Sequence, residues 1–199
     1  MPADRTDLAA RLAAASRHDT ARGFVLNAAF DVARREVDDA TASQCDGSGA
    51  GKRADATVYP VRDLLEVVWA AADRLERPMG GVAPALEAMG RQAAQAWLGS
   101  LRGRTALLMA REPKAVLGLL PAGYAAGVSY GERYLAWPAE GACRLELDHD
   151  FLPLAWHRGF AAAFLAATAR AGAKGGAEVG AVVGEVPGFM RAVLDVRWA

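Results

Sequence analysis

The apolar and polar positions divide the chain into a helical first part and a strand-bearing last third. Residues 7–16 alternate charge with Ala and Leu in a short helical pattern, which "HDTARG" interrupts with Asp19 or Thr20 placed as an N-cap. Over residues 22–37, Phe24 or Val25, Ala28, Ala29, Val32 and Ala33 recur at the spacing of one helix face. "DDATASQCDGSGAGKRADAT", residues 38–57, is small, polar and glycine-rich, and reads as a loop. The next helix starts just after Pro60, whose fixed φ suits a first turn, and carries the stripe Leu64, Leu65, Val68, Ala72 and Leu75 with Trp69 at its edge until "RPMGG" breaks it. A third helix is predicted over 82–98, with Pro84 tolerated near its start and Leu86, Met89, Ala93, Ala96 and Trp97 on its inner face. Short helices over 103–109 and 113–123 follow.

The pattern changes near residue 124. In "CRLELDHDF", Cys143, Leu145, Leu147, His149 and Phe151 fall on one side and Arg144, Glu146, Asp148 and Asp150 on the other, the period of a strand with one solvated face. "AEGA" before it reads as the turn of a hairpin whose first strand covers 131–137. "PLAWHRGFAAAFLAATARAG" is helical and apolar nearly all round, which predicts burial, and Gly172 closes it. "AEVGAVVGEV" and "FMRAVLDVRW" are two more strands, turned by Pro187 and Gly188. Helices first, then strand–strand–helix–strand–strand, predict an α+β fold: N-terminal helices packed on a C-terminal antiparallel sheet. One domain over 1–199 is expected, helical to about 123 and sheet-containing from about 124.

Composition narrows the function classes. Hydrophobic residues make up 53% and charged residues 23% of the 199, enough for a sizeable core and too little charge for disorder. Lys plus Arg and Asp plus Glu both number 23, so no charge excess points to nucleic acid or an anionic membrane. Cys45 and Cys143 belong to no CxxC pair, and two reduced thiols are expected. No apolar run reaches the roughly 18 residues of a membrane span, and the first residues lack a signal-peptide core. A cytoplasmic protein is the expectation.

Candidate chemistry concentrates in "DHDFLPLAWHRGF", which holds two of the three histidines. A structural metal would need three or four convergent ligands, and His149, His157 and Cys143 do not have that spacing, so no metal site is expected. Haem needs only one axial histidine, and His157 shares a helical face with Phe160, Ala161 and Phe164. Gly127-Val128-Ser129-Tyr130-Gly131 fits the G-x-S-x-G pattern of a hydrolase nucleophile, which has meaning only on a strand-to-helix turn of a parallel sheet, and no such sheet is expected. "GAKGG" lacks phosphate-loop spacing. The aromatic group Tyr124, Tyr130, Tyr134 and Trp137, with Trp69, Trp97 and Trp156, reads first as core; polar tips on Tyr130, His157 and Arg133 are the kind of group that orients a ligand in an apolar pocket.

The stretches "DTARGFVLNAAFDVAR", "YPVRDLLEVVWAAADRL", "GGVAPALEAMGRQAAQAWL", "LLPAGYAAGVSYGERYLAW" and "DFLPLAWHRGFAAAFLAATARAG", ending "LDVRW", resemble a paralogous myxobacterial family of unknown function over nearly the whole chain. "HRGFAAAFL" on a helix, followed by a strand, a turn and a final strand, is similar to the ligand-binding domain of vinyl-4-reductase type, related to trafficking-complex subunits and the haem nitric-oxide sensors. That resemblance implies an apolar cavity between helices and sheet, and pairing of two copies through the second and third helices. The resulting expectation is a non-catalytic sensory or carrier domain holding a hydrophobic small molecule, with Tyr124, Tyr130, Arg133, Trp156, His157, Phe160 and Phe164 lining the site. The alternatives are a ligand-free interaction module and an enzyme acting on a lipid or natural product in the same pocket. No cofactor is called for, with haem as the one to consider.

Overall fold

A computed structural model of the chain describes residues 5–47, 51–173, 178–186 and 188–198. In order, the elements are α1 (Arg5–Ala14), β1 (Thr20–Arg22), α2 (Gly23–Glu36), α3 (Asp39–Gln44), β2 (Val58–Pro60), α4 (Val61–Met79), α5 (Val82–Gly99), α6 (Leu101–Met109), α7 (Pro113–Leu117), α8 (Leu120–Gly127), β3 (Glu132–Ala139), β4 (Ala142–Asp150), α9 (Leu154–Thr168), β5 (Glu178–Val186) and β6 (Phe189–Arg197). The last four strands form one antiparallel sheet in the order β3–β4–β6–β5, with α9 inserted between its two hairpins. The class is α+β, in the expected strand–strand–helix–strand–strand order. β1 and β2 pair separately, Ala21 opposite Tyr59, and tie the start of α2 to the start of α4.

Alternation builds the sheet. Met190, Ala192, Leu194 and Val196 of β6 and Cys143, Leu145 and Leu147 of β4 are buried, while Arg144 and Asp195 form an exposed cross-strand ion pair on the other face. The inner face packs on α9, and α1 rests against β6. Buried Arg11 anchors α1: its guanidinium donates to the Phe151 and Leu152 carbonyls at 3.0 and 3.3 Å and lies 5.6 Å from the Trp69 ring. Burying a large apolar side chain contributes about 1.5–3 kcal/mol, and Trp156, Phe160, Phe164 and Leu165 of α9 are all buried.

The closest helix pair is α5 on α9, and two glycines permit it. A Cβ on Gly90 would lie 1.9 Å from the Trp156 carbonyl oxygen, and one on Gly159 would lie 1.8 Å from that of Glu87. The two backbones therefore touch without intervening side chains. This fixes where the aromatic residues of α9 point.

Several sequence expectations are corrected. The loop over 38–57 contains α3, because Asp38 caps it by accepting from the Thr41 amide at 2.6 Å and Ala42 and Cys45 are buried beneath. The helix over 113–123 is two helices, α7 and α8, offset at Gly118 and Leu119. α4 runs through Pro78 to Met79 before Gly80 caps it. On β3 the alternation sends Tyr134 outward, where it is exposed, so it leaves the aromatic core group. Pro187 lies outside the described residues, and Gly188 follows it with a φ of 92°.

The consequential correction is at the end of β4. His149 was expected inside and Asp150 outside. Between the pairs Leu147–Ala192 and Asp150–Met190, however, β4 carries one residue more than β6, a bulge, with His149 at a φ of 54°. The phase of the strand inverts there. His149 turns outward, 64% exposed and stacked on Phe189 at 4.6 Å, and the Asp150 side chain goes in, 1% exposed.

Candidate functional site

The seven residues singled out by sequence come together in one buried cluster between α8, β3, β4 and α9. α9 supplies Trp156, His157, Phe160 and Phe164 on one inward face. Phe160 stacks on Phe164 at 5.4 Å, on Trp156 at 5.2 Å and on Tyr124 of α8 at 4.1 Å. Trp97 of α5 extends the ladder, 5.6 Å from Phe164. Tyr130 stands between α8 and β3, 4.9 Å from Phe151.

Around the ladder's sheet end lies a charged knot built on Asp150. Its carboxylate pairs with the Arg133 guanidinium, accepts from the Leu152 amide at 2.9 Å through Oδ1, and has that oxygen 3.2 Å from His157 Nε2. His157 Nδ1 is 3.1 Å from the Tyr124 hydroxyl. A hydroxyl that donates to Nδ1 leaves the proton on Nε2, which faces Asp150 without the alignment of a hydrogen bond. Arg133 also donates to the Tyr130 and Gly131 carbonyls, and its guanidinium lies 5.0 Å from the Tyr124 ring and 5.7 Å from that of Tyr130.

Ionisation follows from this arrangement. Burial pushes the Asp150 carboxyl up, but the adjacent His157, the Arg133 charge and the Leu152 amide pull it further the other way, so it stays well below the usual carboxylate range. Burial first, and the Asp150 charge second, hold the Tyr124 and Tyr130 hydroxyls well above the ordinary tyrosine value, against the pull of Arg133. Asp150 is thus an anion and both phenols are neutral.

The cluster is unusual in what it leaves unpaired. Trp97 Nε1, Trp156 Nε1, Tyr130 Oη, Arg133 Nε and His157 Nε2 are buried and make no hydrogen bond. Such atoms are uncommon in protein interiors, and here they lie in the ladder or beside it; His157 Nε2 alone has a partner in reach, the Asp150 carboxylate. Grooves of about 520, 360 and 560 Å³ lie elsewhere on the molecule, and none of these three is lined by a member of the cluster.

Asp150, the centre of the knot, was missed because the bulge reverses a period-2 reading. The signal that could have revealed it is Asp150 two residues before Leu152 and three before Pro153, an Asx turn in which the carboxylate takes its own chain's amide and must leave the strand face. Ser129 is placed otherwise than a nucleophile would be. Its hydroxyl accepts from the Thr20 amide at 2.8 Å and the Thr20 hydroxyl at 2.9 Å, where Ala21 bridges Val128, so it stitches β1 to the end of α8 in an antiparallel setting. Cys45 and Cys143 are buried free thiols. Among the described residues, no three His, Cys, Asp or Glu side chains are grouped to hold a metal ion, and no helix is long and apolar enough to cross a membrane. Most of "GAKGG" lies outside the described residues.

The fold is that of solved H-NOX domains. The chain is similar to a mutant H-NOX protein from S. oneidensis in the Fe(II) state, at 12% identity and a TM-score of 0.67, covering 89% of this chain and 96% of that one. An unliganded Fe(II) H-NOX mutant from K. algicida gives 8%, 0.66, 89% and 96%. An oxygen-binding H-NOX domain related to soluble guanylate cyclases gives 10%, 0.62, 89% and 94%. At such identities the likeness is one of fold. No curated protein matches the chain. The model of a family described as a protein of unknown function, DUF2378, matches residues 14–199, and the chain belongs to that family.

Proposed function

We propose that the chain is a small-molecule-binding domain, sensory or carrier in role, that holds a hydrophobic ligand between helices and sheet at Tyr124, Tyr130, Arg133, Trp156, His157, Phe160 and Phe164. One observation carries the reading: four buried polar atoms in and beside the aromatic ladder, Trp97 Nε1, Trp156 Nε1, Tyr130 Oη and Arg133 Nε, have no hydrogen-bond partner. Each is costly to bury unpaired, and a ligand with an apolar body and a few acceptor atoms would pair them. The ladder supplies the apolar walls and the Arg133–Asp150 knot a polar end. Pairing of two copies through α4 and α5, and a cytoplasmic setting, belong to the same reading.

Haem is the ligand to test first, since a structural neighbour covering 88% of this chain concerns protein-induced porphyrin distortion and haem redox potential. The side chains here do not fit it. His18 Nε2 accepts from Arg17, His149 faces solvent against Phe189, and both ring nitrogens of His157 face partners within 3.2 Å. Phe160 and its neighbours stack on one another rather than leaving a flat slot. The ligand expected is therefore not an iron porphyrin.

A ligand-free interaction module is the second reading, supported by the direct ring-on-ring contacts of 4.1–5.6 Å through the ladder. Native mass spectrometry with an absorption spectrum, on protein purified without added ligand, separates the two. Extra mass lost on denaturation and no Soret band supports the proposal. The bare chain mass, with no mass gained from cell extract, overturns it, and the same spectra report whether two copies pair.

A further inference from the structure

α6 packs one side against the core and exposes apolar side chains elsewhere. On the packed side Gly103 sits against α5, where a Cβ would come 2.1 Å from the Trp97 carbonyl oxygen. Leu101, Leu108 and Met109 are 77, 78 and 80% exposed. Three exposed apolar side chains on one nine-residue helix leave apolar surface in water. Between α6, α7 and the C-terminal end of α9 runs a groove of about 520 Å³ with Leu107, Leu108, Val116 and Ala167 among its walls. A second depression of about 360 Å³ shares Leu107 and Ala167 with it and continues toward Leu98.

Charge decides what suits this groove. Arg104, Arg111 and Arg170 stand around the larger part, and Arg104 and Arg170 around the continuation. No lining residue of either part is acidic. Among the described residues, none of these three guanidiniums makes a hydrogen bond or an ion pair. The chain as a whole has zero formal charge, so an acid-free apolar channel under three unpaired arginines is a local feature. A second copy docking the same face would bring like charges together in a two-fold pairing. The volume falls within the roughly 300–1,000 Å³ range of small-molecule sites.

We infer that this groove binds an amphiphilic anion: an unbranched apolar tail along Leu107, Val116 and Ala167, with a carboxylate or phosphate head held by Arg104, Arg111 and Arg170. The site lies beyond the C-terminal end of the ladder, shares no lining residue with it, and is independent of the ligand proposed there. Arginine suits the head because its planar donors match carboxylate and phosphate oxygens in pairs. The tail covers Leu107 and Leu108 of α6, which are otherwise partly or largely in water.

The test is calorimetric titration of the full chain with dodecyl phosphate below its micellar concentration, beside dodecyltrimethylammonium and vesicles of phosphatidylcholine with and without phosphatidylglycerol. Saturable binding of the phosphate near one per chain is expected, at least tenfold weaker for R104Q/R111Q/R170Q, with none for the ammonium. All three arginines are exposed, so an unchanged melting temperature verifies that the variant is folded. Binding to anionic vesicles alone, lost in the same variant, keeps the chemistry and makes a bilayer lipid the source of the head group. Equal binding of the ammonium amphiphile, undiminished binding by the triple variant, or no binding of either anionic probe overturns the inference. So does a concentration-dependent dimer abolished by Leu108→Ser, which would make the face a self-interface.

Discussion

Replacing Asp150 by Asn keeps the side chain's shape and removes its charge. The carboxylate is 1% exposed and Arg133 only 7%, so the substitution strands a guanidinium in the interior rather than on the surface. Breaking a buried pair in this way costs about 3–5 kcal/mol, whereas replacing both partners with apolar residues of similar volume is often near neutral. For a chain of this length each kcal/mol shifts the melting temperature by about 2–4 °C, so Asp150→Asn should melt roughly 6–20 °C lower. Arg133→Met should cost a similar amount, and Arg133→Met/Asp150→Asn distinctly less than the two singles added, a coupling that urea unfolding at pH 7 measures through a double-mutant cycle. The pH dependence has a definite sign. A carboxyl whose folded pKa lies below its ordinary 3.8 stabilises the protein above that value and loses the contribution as pH falls further, so the acid limb of the wild-type stability curve should flatten in Asp150→Asn. A loss under about 1 kcal/mol for Asp150→Asn, or strict additivity in the cycle, would refute both the inward turn of Asp150 and the bulge that produces it.

Three further outcomes follow from the same packing. Gly159→Ala places a methyl 1.8 Å from the Glu87 carbonyl and Gly90→Ala one 1.9 Å from that of Trp156; either should cost at least the roughly 1–3 kcal/mol of an overpacked core, while Gly99→Ala, with open space around it, should not, as denaturant midpoints will show. The Cys143 thiol, pushed up to about 11 by burial and secondarily by Asp195, should resist iodoacetamide at pH 8 in the folded protein and react once urea unfolds it. Absorbance titration should show two of the four tyrosines, Tyr124 and Tyr130, failing to ionise before the protein unfolds in alkali; their stabilising contribution holds below the ordinary value of 10 and fades as pH rises beyond it.

How far the fold was legible depended on whether side-chain periodicity survived intact. The stripes of α4 and α5 and the alternation of β6 did, because each element meets the core along one regular face, and their boundaries fell within a few residues of expectation. α3 was hidden by composition: "DATASQ" has the residues of a loop, and the Asp38 cap outweighs weak propensity. The aromatic ladder was legible because Trp156, Phe160 and Phe164 lie four apart on a helix already read as buried. The knot was half legible. Arg133 and His157 were candidates by residue type, but their shared partner was placed on the wrong face by a single extra residue in β4. The α5–α9 contact was not legible at all, since Gly90 and Gly159 break no pattern and their role is a distance between backbones.

The unpaired atoms give the ligand-binding reading its most direct test, because one of them can be removed without changing the packing. Tyr130→Phe deletes the hydroxyl and leaves the ring against Phe151 and the Arg133 guanidinium. If that hydroxyl is buried without a partner in the unliganded protein, its removal relieves a desolvation penalty of about 1–3 kcal/mol, and the melting temperature rises. At about 2–4 °C per kcal/mol, the gain is roughly 2–12 °C. The same change should weaken any molecule that pairs with the hydroxyl, so the variant melts higher alone and gains less from a saturating ligand than wild type does. A stability gain bought at the expense of binding is what a ligand site predicts, and a filled interaction core has no reason to show the second half. A Tyr130→Phe protein that melts lower than wild type would mean that the hydroxyl already has a partner, and the case for a ligand at the ladder would lose one of its four supports.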